Sequence, residues 1–407
     1  MERMIFAVTL YVISTTSLAV DLIVSQDGSG DYTTIQGAVS AIASLPDTTP
    51  KFDSKDQTAC FFGRGNGLSN NVYGTNTSWT QDVSVGDLIA LRGTTRWYEV
   101  TQILSDTGLT ISRPDESDTM SCGEYDVVQI NTITINPGNY VEAIDMTDVH
   151  FLRMQGSRFR EAVVITTADS DTFSLADVDT FENYPDYFVH TYENITVRNL
   201  EAGGVFELSA NTSGRDTSLT INNSVITTYC CDTIYGYGKL GHLTIDNSIF
   251  TGGGDIIASG LPGDGPVKSV LIADSTIYSA TSSGGISEKL AGAAIQLEVE
   301  GDARIENSRI VCNAYKGDGR CLKIFGPNQD PFIIKNTEII AVAATSTALY
   351  IGNSSKVILD HVQIESQDVG GTDMFIENGS NVTTSCSIYD PLTIHNSGTL
   401  TDLGCSQ

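Results

Sequence analysis

Eight segments of this chain align on one degenerate pattern: Asn194-ITVRNL, Ser218-LTINNSVI, His242-LTIDNSIF, Ser269-VLIADSTI, Asp302-ARIENSRI, Pro331-FIIKNTEI, Lys356-VILDHVQI and Asn381-VTTSCSI. Their starts fall 24 to 33 residues apart, the period of a solenoid coil rather than of a hairpin. Apolar residues alternate within each segment, as at Leu219/Ile221 and Leu243/Ile245, and a period of two marks a half-buried strand. A polar column follows at Asn199, Asn223, Asn247, Asp274, Asn307 and Asn336. Asn and Asp tolerate the left-handed backbone, and stacked amides hydrogen-bond from coil to coil. The column therefore predicts the sharp turn of an all-β, right-handed parallel β-helix. A second apolar strand per coil is expected at Ile256-Ile257, Ile295 with Leu297, Leu322 with Ile324, Leu349 with Ile351 and Met374 with Ile376. An antiparallel sandwich would show hairpin turns in place of a fixed column.

The rest of the chain is read around that repeat. Residues 1–19 have the form of an export signal, with charges at Glu2 and Arg3, an apolar run from Met4 to Ile13, and Ser17-Leu18-Ala19 as a small-x-small cleavage pattern. The run is too short to span a bilayer, so the expectation is a secreted, extracellular protein without a membrane anchor. Residues 20–44 are expected to form an N-terminal strand and a short capping helix. Thr33-Thr-Ile-Gln36 resembles a capping box, and Ile35, Ala38, Val39 and Ile42 keep helical spacing. Residues 45–128 break the pattern and are expected to be an inserted small β module carrying both tryptophans, Trp79 and Trp97. Each is open to a core role or to a carbohydrate platform. Residues 129–407 are the β-helix and its C-terminal cap.

Eight cysteines suit an oxidising compartment. Nearness along the chain suggests Cys60 with Cys122, Cys312 with Cys321 and Cys386 with Cys405, leaving Cys230 and Cys231 adjacent. None has zinc-site spacing, and the five histidines are scattered, so no metal is expected. Glycosylation sequons stand at Asn76, Asn194, Asn211, Asn222, Asn353, Asn378 and Asn381. Acidic residues outnumber basic ones 50 to 22, giving a charge of -28 at pH 7 and a pI near 4.3. That balance argues against a nucleic-acid partner and against a fully ionised polyanion. A neutral or partly esterified polymer remains open.

Asp232 and Asp255 lie 23 residues apart, about one coil, each just before an apolar strand. Carboxylates on neighbouring coils push one another's pKa apart, which makes an acid and a nucleophile from one residue type. Arg320 follows in the same register two coils later. A guanidinium there suits holding one Asp ionised. No G-x-S-x-G elbow occurs, and Gly236-YGKLG sits between strands rather than before a helix, so it is not read as a nucleotide site.

These residues carry a resemblance to the pectinesterases, the pectin methylesterase family of β-helix enzymes. Val24-SQDGSGDYTTIQGAV resembles that family's opening segment, and Asn136-PGNYVEAI with Leu152-RMQGS its first coil. Cys231-DTIY, Gly253-GDIIASG and Gly317-DGRCL resemble its three catalytic motifs. The resemblance implies hydrolysis of methyl esters on a pectin-like, partly esterified polysaccharide, with Asp255 as nucleophile, Asp232 as acid and base, Arg320 orienting Asp255, and no cofactor. Tyr235 and Tyr237 are sugar-contacting candidates near the cleft, Tyr235 being equally open to a packing role, and Lys239 is a further substrate-binding candidate beside the plainer reading of a solvated surface lysine. Cys231 stands where the family has its oxyanion Gln, and the Gln of the preceding coil is absent from Ala202-GGVFELSA. The alternative expectation is a non-catalytic extracellular scaffold or adhesion protein on the same fold.

Overall fold

The computed structural model describes residues 19–45, 52–53, 56–61, 70–92, 97–112, 121–147, 149–167, 171–175, 187–200, 204–208, 216–229, 232–236, 239–253, 257–258, 266–281, 293–314, 319–326, 328, 330–342, 346–352, 354–367, 370–390 and 393–405. Three long sheets wrap a parallel β-helix, with 12 strands in the first, 9 in the second and 10 in the third. One coil shows the plan: Lys239–Asp246 lies in the first sheet, Ile249–Gly252 in the second and Ile257–Ala258 in the third. Each strand pairs in parallel with its counterpart one coil away.

The inward column of each sheet repeats one kind of side chain. Ile221, Ile245, Ile272, Ile305, Ile334 and Leu359 stack in the first sheet, and Ile226, Phe250, Ile277, Ile310, Ile339 and Ile364 in the second. β-branched and aromatic side chains suit this geometry because each packs on its own kind along the pleat. Phe173 and Phe206 stack at 5.2 Å in the third sheet.

The turn between the first and second sheets is left-handed in every coil from Asn194 to Cys386. The residues that adopt it are Asn194, Asn223, Asn247, Asp274, Asn307, Asn336, His361 and Cys386, with φ between 45° and 56°. Asn223 Nδ2 donates to Asn194 Oδ1 at 2.6 Å, Asn247 Nδ2 to Asn223 Oδ1 at 3.2 Å, and Asn336 Nδ2 to Asn307 Oδ1 at 3.1 Å. The expected column is thus corrected at its first member. Asn199 ends a second-sheet strand, is buried, and donates to the Gly204 carbonyl at 2.8 Å. The first-sheet strand of that coil is Tyr187–Glu193, upstream of the repeat segment that begins at Asn194.

A second ladder runs beside the first. Ser224, Ser248, Ser275, Ser308 and Thr337 each follow a turn residue and are buried. Each hydroxyl donates to the carbonyl two residues back, and the hydroxyls of the last four accept the backbone N–H of their equivalents one coil earlier. The ladder satisfies donors that the turn takes out of the sheets.

The helix Ile35–Ala43 buries Ile35, Ala38, Val39 and Ile42 against the first coil. Its N-cap is Thr34, one residue later than the capping-box reading, and Thr34 Oγ1 accepts from Gly37 N–H at 3.1 Å. The Glu142 carboxylate accepts from the N–H groups of Ile35 and Gln36, where the helix dipole favours negative charge.

Between this helix and the strand Asn131–Ile135, the chain builds an eight-stranded sheet whose strand pairs are all antiparallel. It has its own core around Trp79, Phe61, Tyr125 and Val127. Disulfides join Cys60 to Cys122 across this sheet, Cys312 to Cys321 and Cys386 to Cys405. Cys230 and Cys231 lie outside the described residues, as does the export-signal segment apart from Ala19. Among the described residues no helix is long and apolar enough to cross a membrane.

Candidate functional site

Of the residues expected to carry chemistry, Tyr235 and Arg320 lie on third-sheet strands and Asp232 stands just before one, whereas Lys239 opens a first-sheet strand. Register runs through Phe206, Ile234, Ile257, Ile295 and Leu322. Counting back two residues places Asp232 and Arg320 in one column; Asp255 lies outside the described residues, as does Tyr237. Arg320 pairs with Ala293 and Thr347. Its strand is three strands beyond that of Asp232, roughly 14 Å away at sheet spacing. Its guanidinium lies 3.9 Å over the ring of Tyr350. Burial, together with the hydrogen bond to Glu377, pushes the Tyr350 phenol up to about 12. Tyr235 and Lys239 are strand residues paired with Glu207 and Asp216.

The same column holds a feature the sequence did not disclose. Asp171 stands in it two coils before Asp232, and its hydrogen bond to Glu207, with burial and like charge, raises the Glu207 carboxyl to about 7. The two meet only because Phe173 registers with Phe206 across a gap of 33 residues.

A groove lies on the outward face of the first sheet, where the inserted sheet stands over the β-helix. Its floor is one residue per coil: Val189, Ser218, His242 and Ser269 in one column, with Thr220, Thr244 and Leu271 in the next. Asp302 closes the end, beside Ser269, with Arg304 Nε 3.2 Å from its carboxylate. Trp97 of the inserted sheet forms the wall, half-buried and edge-on to Phe151 at 5.6 Å. Trp79, by contrast, is fully buried and donates to Tyr125 Oη at 2.9 Å. Trp79 thus takes the core role, and Trp97 packs, partly buried, against a second small core with Phe151 and Val189. Arg153 Nη2 and Glu99 Oε2, 2.6 Å apart, tie the two bodies together beside the groove.

Local irregularity places the imidazole. The register between Asp216–Asn222 and Lys239–Asp246 slips by one residue, so Gly241 is extra and His242, not Gly241, stands opposite Ser218. A bulge of this kind re-aims the side chains beyond it. His242 Nδ1 and Ser269 Oγ are 2.6 Å apart. Ser218 Oγ and Trp97 Nε1 are buried polar atoms without a hydrogen-bond partner. Buried orphans are uncommon and mark places where a polar group is to be met. Among the described residues no group of three His, Cys, Asp or Glu side chains is placed to hold a metal ion.

Neither a family model nor a curated protein matches the chain. Solved structures that it resembles share 10% identity with it. They include the catalytic domain of a GH87 α-1,3-glucanase in complex with tetrasaccharides, with a TM-score of 0.25 over 85% of this chain and 88% of that one. The tailspike of Acinetobacter baumannii bacteriophage AP22 in complex with capsular saccharide gives 0.22 over 87% and 57%. The catalytic unit of a GH87 α-1,3-glucanase from Streptomyces thermodiastaticus strain HF3-3 gives 0.18 over 86% of each chain. At these scores the architecture rests on the chain's own strand pairing.

Proposed function

We propose that this protein is an extracellular β-helix that binds a neutral or partly esterified polysaccharide along the groove of its first sheet. The observation that carries the reading is the groove itself. Hydroxyl and imidazole groups recur once per coil at about 4.8 Å, and an indole stands beside them. A sugar ring presents hydroxyls on its edge and C–H bonds on its face, which is what such a floor and wall can meet. Three disulfides support an oxidising compartment. Affinity electrophoresis through gels of neutral and methyl-esterified polysaccharides tests it. Retardation by one of them, weakened about tenfold by Trp97→Ala, is the expected result, and unretarded migration in every gel overturns it.

A second reading, methyl-ester hydrolysis in the manner of the pectinesterases, is favoured by the register that puts Asp232 and Arg320, each two residues before Ile234 and Leu322, in one third-sheet column. In it Asp255 attacks the ester carbonyl, Asp232 protonates the departing methanol, and Arg320 orients Asp255. It requires methanol release from highly methylated pectin that both Asp232→Asn and Asp255→Asn abolish. A folded protein that releases none between pH 4 and 9 excludes it.

A further inference from the structure

We propose that the first-sheet groove is an acyl-ester hydrolase site in which Ser269 is the nucleophile and His242 its general base, acting on an O-acyl group carried by the bound polysaccharide. The inference rests on the polysaccharide reading of the groove and assigns it a reaction. Three observations converge on one small volume. The first is the pair itself: His242 Nδ1 is 2.6 Å from Ser269 Oγ, within reach for proton transfer. The second is the placement of both residues on paired strands of the first sheet, opposite one another in register, so that strand geometry rather than a flexible loop holds the pair. The third is that Ser218 and Trp97, whose hydroxyl and indole N–H have no hydrogen-bond partner, are both lining residues of the same pocket. A developing oxyanion needs such donors, already desolvated and fixed before the reaction begins.

The step balances with water as the only co-reactant. Ser269 Oγ bonds to the acyl carbonyl carbon while its proton passes to His242 Nδ1, and the negative oxygen faces the Ser218 O–H and the Trp97 N–H. The intermediate collapses by breaking the bond to the sugar oxygen, which leaves with the proton from His242. Water then attacks the acyl-enzyme, gives its proton to His242, and releases a carboxylic acid with Ser269 restored. The sequence carries no elbow motif because here the nucleophile meets its base through strand register, across 27 residues, and not through a turn.

The full chain, treated with a fluorophosphonate probe and analysed by peptide mass mapping, tests the assignment, alongside acetate release from acetylated xylan. An adduct on the peptide holding Ser269 is expected, lost in Ser269→Ala and at least 100-fold slower in His242→Gln. Trp97→Phe keeps the ring and removes the N–H, so it should lower kcat about 100-fold while KM moves little. Thermal melts establish that each variant is folded. No adduct on a folded chain, an adduct elsewhere, or acetate release that survives Ser269→Ala overturns the proposal. Retardation by polysaccharide without labelling sinks the chemistry and leaves the binding reading intact. Labelling at Ser269 without retardation does the reverse.

Discussion

Ser248 shows how much one hydroxyl can hold in this molecule. It is buried, donates to the Asp246 carbonyl at 2.7 Å and accepts the Ser224 N–H at 3.1 Å. Ser248→Ala removes one small group but strands a buried N–H, so a loss of about 1–3 kcal/mol is expected in urea denaturation. His190 carries a pH dependence. Its Nε2 donates to the Val149 carbonyl at 2.7 Å, and burial holds its pKa down to about 4. The unfolded chain takes the proton near 6.5, so between pH 6.5 and 4 the unfolded state binds more protons than the folded one. Stability is therefore full above about 6.5 and falls as the pH falls, by up to about 3 kcal/mol. Melting temperatures at pH 7 and pH 5 should differ less in His190→Gln than in the unaltered chain. The turn column was legible at this scale because Asn and Asp advertise left-handed backbone. Its Ser and Thr neighbours stand beside it in the sequence, where Asn-Ser at 223, 247 and 307 repeats as plainly, but a hydroxyl residue alone does not signal a buried ladder. Asn199 misled because it is also an Asn at coil spacing, and only its backbone tells it from Asn194.

Strand type and inward face could be read from the alternation, and so could the cap helix from Ile35, Ala38, Val39 and Ile42. The first residues of the repeats, Ser218, His242, Ser269 and Asp302, were also in plain view, but alternation says only that they face outward. What faces them is decided by the inserted sheet, whose docking through Trp97, Phe151, Val128 and Val189 has no local signature. The disulfides act element by element. Cys60 and Cys122 close a loop of 62 residues, and Cys312 and Cys321 one of 9. On chain entropy alone the first stabilises by about 4 kcal/mol and the second by about 2.5 kcal/mol. Replacing both members of the first pair with Ser should lower the melting of the inserted sheet and weaken polysaccharide retention with it. The same change at Cys312 and Cys321 should leave retention unchanged. Retention unchanged without the Cys60–Cys122 pair, although the inserted sheet melts earlier, would mean that the groove does not depend on that sheet.

At the scale of the whole molecule two opposing effects meet, self-repulsion and ligand choice. A charge of -28 spread over a solenoid destabilises the compact state and repels anions. At about 0.1 M salt the Debye length is near 10 Å, longer than the roughly 5 Å between coils but shorter than the molecule. Added salt should therefore raise the melting temperature by screening charge between neighbouring coils. Binding separates the candidate polymers by the same argument. The groove floor carries hydroxyls and an imidazole beside Val189 and Leu271, its wall is an indole, and Asp302 is held against Arg304. A neutral polysaccharide that docks there neutralises no charge, and its affinity should be flat between about 50 and 200 mM salt. A demethylated polygalacturonate must bring carboxylates toward an acidic body, so its affinity should start low and rise with salt. The third pattern, strong binding that salt abolishes, belongs to a polyanion held by cationic side chains. With 22 basic residues against 50 acidic ones and a groove of this make-up, that pattern would mean the polymer docks somewhere other than the first sheet.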